Sequence, residues 1–196
     1  TFLEHWSMNL FYFDQQNDGL TDSNSIGSEV RYRDSRKAFF GLLDYDLFYD
    51  ELNILQLNGN LLFDHGRTAF INAYLHQTPL LATSNALIGR QERSIEELKK
   101  VLNIEQIYQL ARDRTATSES VTVGGSQPLS EDFQLSADIT FAHVNETVAS
   151  GGVDATPDTG TQYYINTQLV GNSIFRKHDT NILGVRYYQT DPSDTI

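Results

Sequence analysis

Asp44 and Asp46 stand two residues apart in "LLDYDLF", so in an extended chain their carboxylates share one face. Glu29 and Asp138 lie in segments of the same kind and take the same orientation. Paired carboxylates suit acid–base chemistry, provided a nucleophile or a third partner stands beside them. None accompanies these. Arg31, Arg33 and Arg186 fall on the same face by odd/even register, so charges of both signs meet there. Such a mixture reads as charge pairs that brace a wall or line a pore.

The other chemically able residues form no recognisable set. His5, His65, His76, His143 and His178 are scattered, and no HExxH or comparable zinc spacing occurs. "DQQNDG" partly imitates a calcium loop through Asp14, Gln16, Asp18 and Gly19, but its twelfth position is Ser25, too weak a donor, so a plain polar loop is expected. "GGSQP" and "ASGG" lack the Lys-Ser/Thr of a phosphate loop. Ser126 and Ser136 have no His/Asp partner in any recognisable frame. The expectation is a non-enzyme with no catalytic residue, no metal and no cofactor.

The elements that position these side chains read as strands. "FQLSADITF" (133–141) alternates strictly, with Phe133, Leu135, Ala137, Ile139 and Phe141 against Gln134, Ser136, Asp138 and Thr140. Successive side chains on a strand point to opposite faces. The same two-sided pattern recurs over 38–49, 52–63, 68–76, 162–175 and 181–188, and more briefly over 6–13, 28–34 and 118–125. That makes about nine strands of roughly 8–14 residues, longer than the mode of about 5–6 in soluble sheets. Tilted strands of about 9–11 residues are what a bilayer requires.

Expected connections alternate in length. Those at 34–37, 64–67, 126–132 and 176–179 are short; those at 14–27, 77–115 and 145–161 are long, with the join at Asp50-Glu51 a short exception. Short turns on one side and long loops on the other is the habit of outer-membrane barrels. Residues 94–115 read instead as two short helices, with capping boxes at Ser94/Glu97 and Asn103/Gln106. This helical hairpin is expected at the mouth, over or inside it.

Composition bounds the class. The net charge is −12, with 26 acidic against 14 basic residues, which disfavours nucleic acid as a partner. Apolar residues are 39% of the chain and Cys is absent, so no disulfide framework exists. No run of about 18 apolar residues occurs, which excludes a transmembrane helix but not a barrel. The aromatics Phe39, Tyr45, Tyr49, Phe63, Phe133, Phe141, Tyr163, Phe175 and Tyr187 fall on the apolar face, several near strand ends, where interfacial girdles would put them. A start at "TFLEHW" without Met suggests a mature or truncated product.

Blocks such as "IGSEVRYRD", "LNILQLNGN", "SNALIGR", "ARDRTATSESVTVGGSQPLSEDFQLSADIT", "ASGGVDATPDTGTQYYINTQLVGNSIF" and "GVRYYQTDPSD" resemble the C-terminal barrel of Gram-negative outer-membrane proteins in which a periplasmic tetratricopeptide-repeat array precedes a β-barrel. The resemblance covers most of the chain and carries no catalytic motif. It implies a membrane-embedded barrel and, by looser analogy, passage (exopolysaccharide export) or surface attachment of a polymer. The repeat array itself is absent, since no period of about 34 residues occurs. "DPSDTI" lacks the aromatic-ended last strand of such barrels, and an odd strand count also suggests a fragment.

The resulting expectation is an all-β chain: over 1–196 a partial, antiparallel up-and-down transmembrane β-barrel of about nine meandering strands, with a helical insert at 94–115 in an outer loop. It would serve as pore, wall or anchor in the cell outer membrane. Glu29, Arg31, Arg33, Asp44, Asp46, Asn58, Asn72, Asp138, Gln168 and Arg186 would face the lumen. Leu43, Leu57, Ile71, Leu135, Ala137, Ile139, Leu169 and Val185 would face lipid. Expected partners are outer-membrane lipid and lipopolysaccharide, together with the remaining strands and the periplasmic repeats. The alternative is a soluble all-β binding module of the cell envelope, which needs a second layer over the apolar face.

Overall fold

The structure, a computed structural model, describes residues 2–191. After a 3₁₀ turn at Phe2–His5 come nine strands: β1 Trp6–Asn17, β2 Leu20–Arg33, β3 Lys37–Asp46, β4 Glu51–Leu62, β5 Thr68–Thr78, β6 Ala116–Pro128, β7 Phe133–Val144, β8 Thr161–Asn172 and β9 Thr180–Asp191. They form one sheet in sequence order, each strand antiparallel to the next. The chain is thus an all-β, up-and-down meander with few helices. The sheet is open, because β1 and β9 pair on one side only.

Short polar side chains set the turns. Asp34 accepts the backbone N–H groups of Arg36 and Lys37 at 2.7 Å each, closing β2 onto β3. The Tyr32 hydroxyl donates to the same carboxylate, which holds the Asp34 carboxyl down at about 2. Asp179 collects the N–H groups of Ile174, Phe175 and Arg176 between β8 and β9. Asp46 Oδ1 accepts from Phe48 and Tyr49 at 2.9 Å between β3 and β4. Asx side chains mimic a backbone turn in this way.

The segment 14–27 is not the long loop its polarity suggests. β1 and β2 run through it and meet at Asp18-Gly19, where φ is +49° and +76°. Two consecutive positive φ values make the tight hairpin turn that Asp-Gly favours. The calcium-loop reading fails with it, since Asp14 and Gln16 are strand residues and Asp14 accepts from Asn24. Strict alternation of loop lengths fails as well. At the end of the sheet carrying 79–115 and 145–160, the other two connections are tight turns.

The long β5–β6 connection holds a 3₁₀ turn, Thr83–Leu87, and two helices, α1 Ile95–Leu98 and α2 Ile104–Asp113. Asn103 and Gln106 form the full reciprocal capping box at α2. At α1 the Ser94 side chain accepts from the Glu97 N–H, but the Glu97 carboxylate turns to the N–H of Arg93, so that box is half-made.

The buried apolar core lies in this insert and not under the sheet. Leu20, Tyr49, Leu81, Ile95, Leu98, Ile107 and Leu110 pack together there. Tyr49 is therefore no apolar-face aromatic; it is 2% exposed, inside that cluster. Phe175 lies in the β8–β9 turn, exposed. The end segment 192–196, with most of "DPSDTI", lies outside the described residues.

Candidate functional site

The pairing register assigns every strand residue to one of two faces. Leu43, Leu57, Ile71, Leu135, Ala137, Ile139, Leu169 and Val185 share one face. Glu29, Arg31, Arg33, Asp44, Asp46, Asn58, Asn72, Asp138, Gln168 and Arg186 share the other. The apolar face is the more open of the two. Leu57 is 51% exposed, Ile71 45%, Ile165 41% and Val185 68%. On β6 the exposed positions are Glu119, Val121, Val123 and Gln127, whereas Ser120, Thr122 and Gly124 are half-buried. Among the described residues no second layer covers the apolar face.

On the polar face one row crosses the whole sheet. It passes from Ser7 through Arg31 and Phe40 to Asn58 and Asn72, then through Thr122 and Thr140 to Tyr164 and Tyr188. Neighbours along it touch. The Arg31 guanidinium lies over the Phe40 ring, 5.4 Å from its centroid. Asn58 Nδ2 donates to Asn72 Oδ1 at 2.8 Å, and the Thr122 and Thr140 hydroxyls are 2.8 Å apart. The Tyr164 and Tyr188 rings lie 4.8 Å apart, centroid to centroid.

Adjacent rows extend the network. Arg31 pairs with Glu29 at 2.7 Å, and Asn9 donates to the same carboxylate. Asn166 donates to Asp138 at 2.8 Å, and Gln56 to Asn58 at 2.6 Å. Of these, the Asn9–Glu29 and Asn166–Asp138 bonds cross between strands, and such cross-strand pairs are the unit of sheet stabilisation. The surface they make is one of amides, hydroxyls and aromatic faces, with a few charges paired locally.

Aromatic side chains on this face are the part that sequence reading missed. Phe11 lies over Gly27, whose added Cβ would meet Phe11 Cζ at 2.1 Å; Phe70 lies over Gly124, with the corresponding distance 2.7 Å. An aromatic ring across a strand glycine fills the missing side chain. The signal is a polar-face Gly beside an aromatic on the next strand, and it appears only once the register is known.

Asp44 and Asp46 each accept a hydrogen bond from a serine hydroxyl of β2. Asp46 is fully buried and committed to Ser23 Oγ at 2.7 Å and to the backbone N–H groups of Asn24, Phe48 and Tyr49. Asp44 accepts from Ser25 Oγ at 3.3 Å. His65 and His178 lie in short turns at positive φ, and His143 pairs with Asp158 at 3.0 Å. Ser126 hydrogen-bonds Thr68, with no base beside it in the bonds described. Among the described residues no cluster of His, Cys, Asp and Glu has the makings of a metal site.

The insert covers the polar-face side of this end of the sheet. Ser84 N–H donates to Asp22 Oδ1, the Thr83 hydroxyl to Thr21 O, and Leu81 N–H to Asn53 Oδ1. Tyr49 and Thr83 hydroxyls are 2.6 Å apart, and burial pushes the Tyr49 phenol up to about 12. Lys99 bonds the Asp18 carbonyl, while Arg114 bonds the Ser150 carbonyl and Arg90 that of Gly151. The insert thereby ties the β1–β2 turn to the β7–β8 loop, across the intervening strands.

Comparison with protein-family models, with curated proteins and with solved structures found no match.

Proposed function

We propose that this chain is part of the wall of an outer-membrane β-barrel in a Gram-negative cell envelope, and acts as pore, wall or anchor. The carrying observation is the inverted burial. The apolar face is open and uncovered, while the polar face is sheltered and cross-bonded. In water, leaving that face uncovered forfeits about 25 cal/mol for each Å² of apolar surface. In a bilayer the same face meets hydrocarbon, and the polar row lines a wet interior.

The distribution of aromatics supports the reading. Trp6, Tyr32 and Phe39 touch at one end of the apolar face, with ring centroids 4.9 and 6.1 Å apart. Phe141 and Tyr163 touch at the other, 5.3 Å apart. Two aromatic belts flanking an aliphatic band is the pattern of membrane barrels. No helix among the described residues is long and apolar enough to cross a membrane, which says nothing of crossing by strands.

In this reading outer-membrane lipid and lipopolysaccharide surround the apolar face. The open β1 and β9 edges take further strands, which in a bilayer holding this chain alone come from a second copy of it, because lipid does not tolerate unpaired backbone. The resemblance to barrels preceded by tetratricopeptide repeats supports a periplasmic repeat region as a separate partner. It also supports passage or attachment of a polymer such as an exopolysaccharide, and the row of amides, hydroxyls and aromatic rings, whose one charge at Arg31 is paired with Glu29, suits a hydroxyl-rich chain. A soluble module is the weaker reading, since it requires a layer over Leu57, Ile71 and Ile165.

Refolding the intact chain with and without phosphatidylcholine vesicles tests this. The expected result is protease-resistant sheet only with vesicles. A folded, soluble monomer in plain buffer would overturn the proposal.

A further inference from the structure

A groove of about 630 Å³ lies at the short-turn end, where the β2–β3 turn approaches the β4–β5 turn. Its walls are basic on one part, with Asp64 and His65 among the cations, and apolar on the other. Arg36, Lys37 and Arg67 supply the cations; Leu61 and Phe63 supply the apolar part. Lys37 pairs with Leu61 in the β3–β4 register and so stands on the margin of the apolar face. Phe63 and Arg67 continue that face in extended backbone beyond Leu61 and before Ala69, and Phe63 N–H donates to Arg67 O at 2.8 Å. Phe63 is half exposed.

The charges are only partly spent. Arg36 pairs with Asp64 at 3.0 Å, and the Asp34 carboxylate is occupied by the turn. Neither Lys37 nor Arg67 has a carboxylate within ion-pair distance among the described residues. Two cations therefore border an exposed ring and aliphatic side chains, at the rim of a face with no protein cover. Phosphate oxygens suit Arg and Lys donors, and an acyl chain suits the surface beside them. Basic side chains at such a rim reach out to the headgroup level.

We propose that this groove binds an anionic phospholipid, with its phosphate between Lys37 and Arg67, Arg36 in support, and its acyl chain along Leu61 and Phe63. The proposal rests on the membrane reading and adds a lipid preference that this reading does not require.

The test is electron spin resonance of the intact chain in phosphatidylcholine bilayers, with spin-labelled phosphatidylglycerol or phosphatidylcholine as probe. Phosphatidylglycerol should be favoured by about fivefold, the scale of one basic side chain at an anionic surface. The variant Lys37→Gln with Arg67→Gln should bring the ratio to about one, and Asp64→Asn, which frees Arg36, should raise it. Arg93→Gln with Lys100→Gln, on the insert, should leave it unchanged. An equal ratio for both lipids in the wild type, or a preference kept by the Lys37/Arg67 variant, overturns the lipid site and leaves the membrane reading intact. Loss of the preference on adding inorganic phosphate assigns the groove to free phosphate and overturns the lipid as its ligand. Failure to enter the bilayer at all overturns both.

Discussion

Val121 and Thr122 are neighbours on β6, and the apolar one is exposed while the polar one is half-buried and shares a hydrogen bond with Thr140 at 2.8 Å. A water-soluble sheet reverses that order, because burial of apolar area is the main favourable term in folding. The inversion recurs on β8, where Ile165 and Thr167 are exposed and Asn166 and Gln168 half-buried. A solvent that prefers the apolar side removes the conflict.

Charged substitutions should split by face. Leu57→Arg, Ala137→Arg and Leu169→Arg should each cost about 2–4 kcal/mol near the bilayer midplane, and Asn58→Arg or Gln168→Arg much less. Denaturant unfolding from lipid vesicles reads the difference. Equal costs on the two faces would contradict the lipid-face assignment.

Asp46→Ala should loosen the β3–β4 turn. It leaves Ser23 Oγ and the N–H groups of Asn24, Phe48 and Tyr49 without their acceptor, for a loss of about 2–3 kcal/mol. Asp46→Asn keeps an acceptor oxygen and should lose less. Both are measured by equilibrium unfolding, and equal losses would show that the hydrogen bonds are not what matters there.

Tyr49 gives the insert an alkaline limit. Burial first, opposed by the Thr83 hydrogen bond, raises its phenol to about 12, above the ordinary value near 10. A group whose folded value is raised contributes fully below the unfolded value and loses that contribution as pH climbs through the folded one. The insert should hold up to about pH 10 and loosen between about 10 and 12. The difference in phenolate absorbance between wild type and Tyr49→Phe follows the titration, and protease nicking within 79–115 follows the loosening. Tyr49→Phe should also lose about 1 kcal/mol with the Thr83 bond.

Gly27→Ala should destabilise by about 1–3 kcal/mol, since the new Cβ would meet the Phe11 ring at 2.1 Å and the Leu43 carbonyl oxygen at 2.5 Å. Adding Phe11→Leu should recover only part of the loss, because the Leu43 backbone still stands in the way. Thermal unfolding of the single and double variants measures this.

The strands were legible because alternation is a local property. Leu135, Ala137 and Ile139 declare a face without reference to any neighbour, and the register then joins such faces into one. The stretch 14–27 misled because its polar residues favour loops by composition, while the Asp18-Gly19 dipeptide in its midst is a specific hairpin signal. Tyr49 misled because alternation carried past Asp46, where the carboxylate bends the chain into a turn. The row through Asn58, Asn72, Thr122 and Thr140 could not be read at all in advance. It depends on pairings between strands up to 50 residues apart along the chain, from Asn72 to Thr122.

The most direct test uses the absence of native cysteine. Single cysteines at each position from 135 to 140, spin-labelled in lipid vesicles, report collision with oxygen, which favours lipid, and with a nickel chelate, which stays in water. Labels at Leu135, Ala137 and Ile139 should collide with oxygen and be shielded from nickel, and those at Ser136, Asp138 and Thr140 should do the reverse. Equal nickel collision at all six positions would contradict the account.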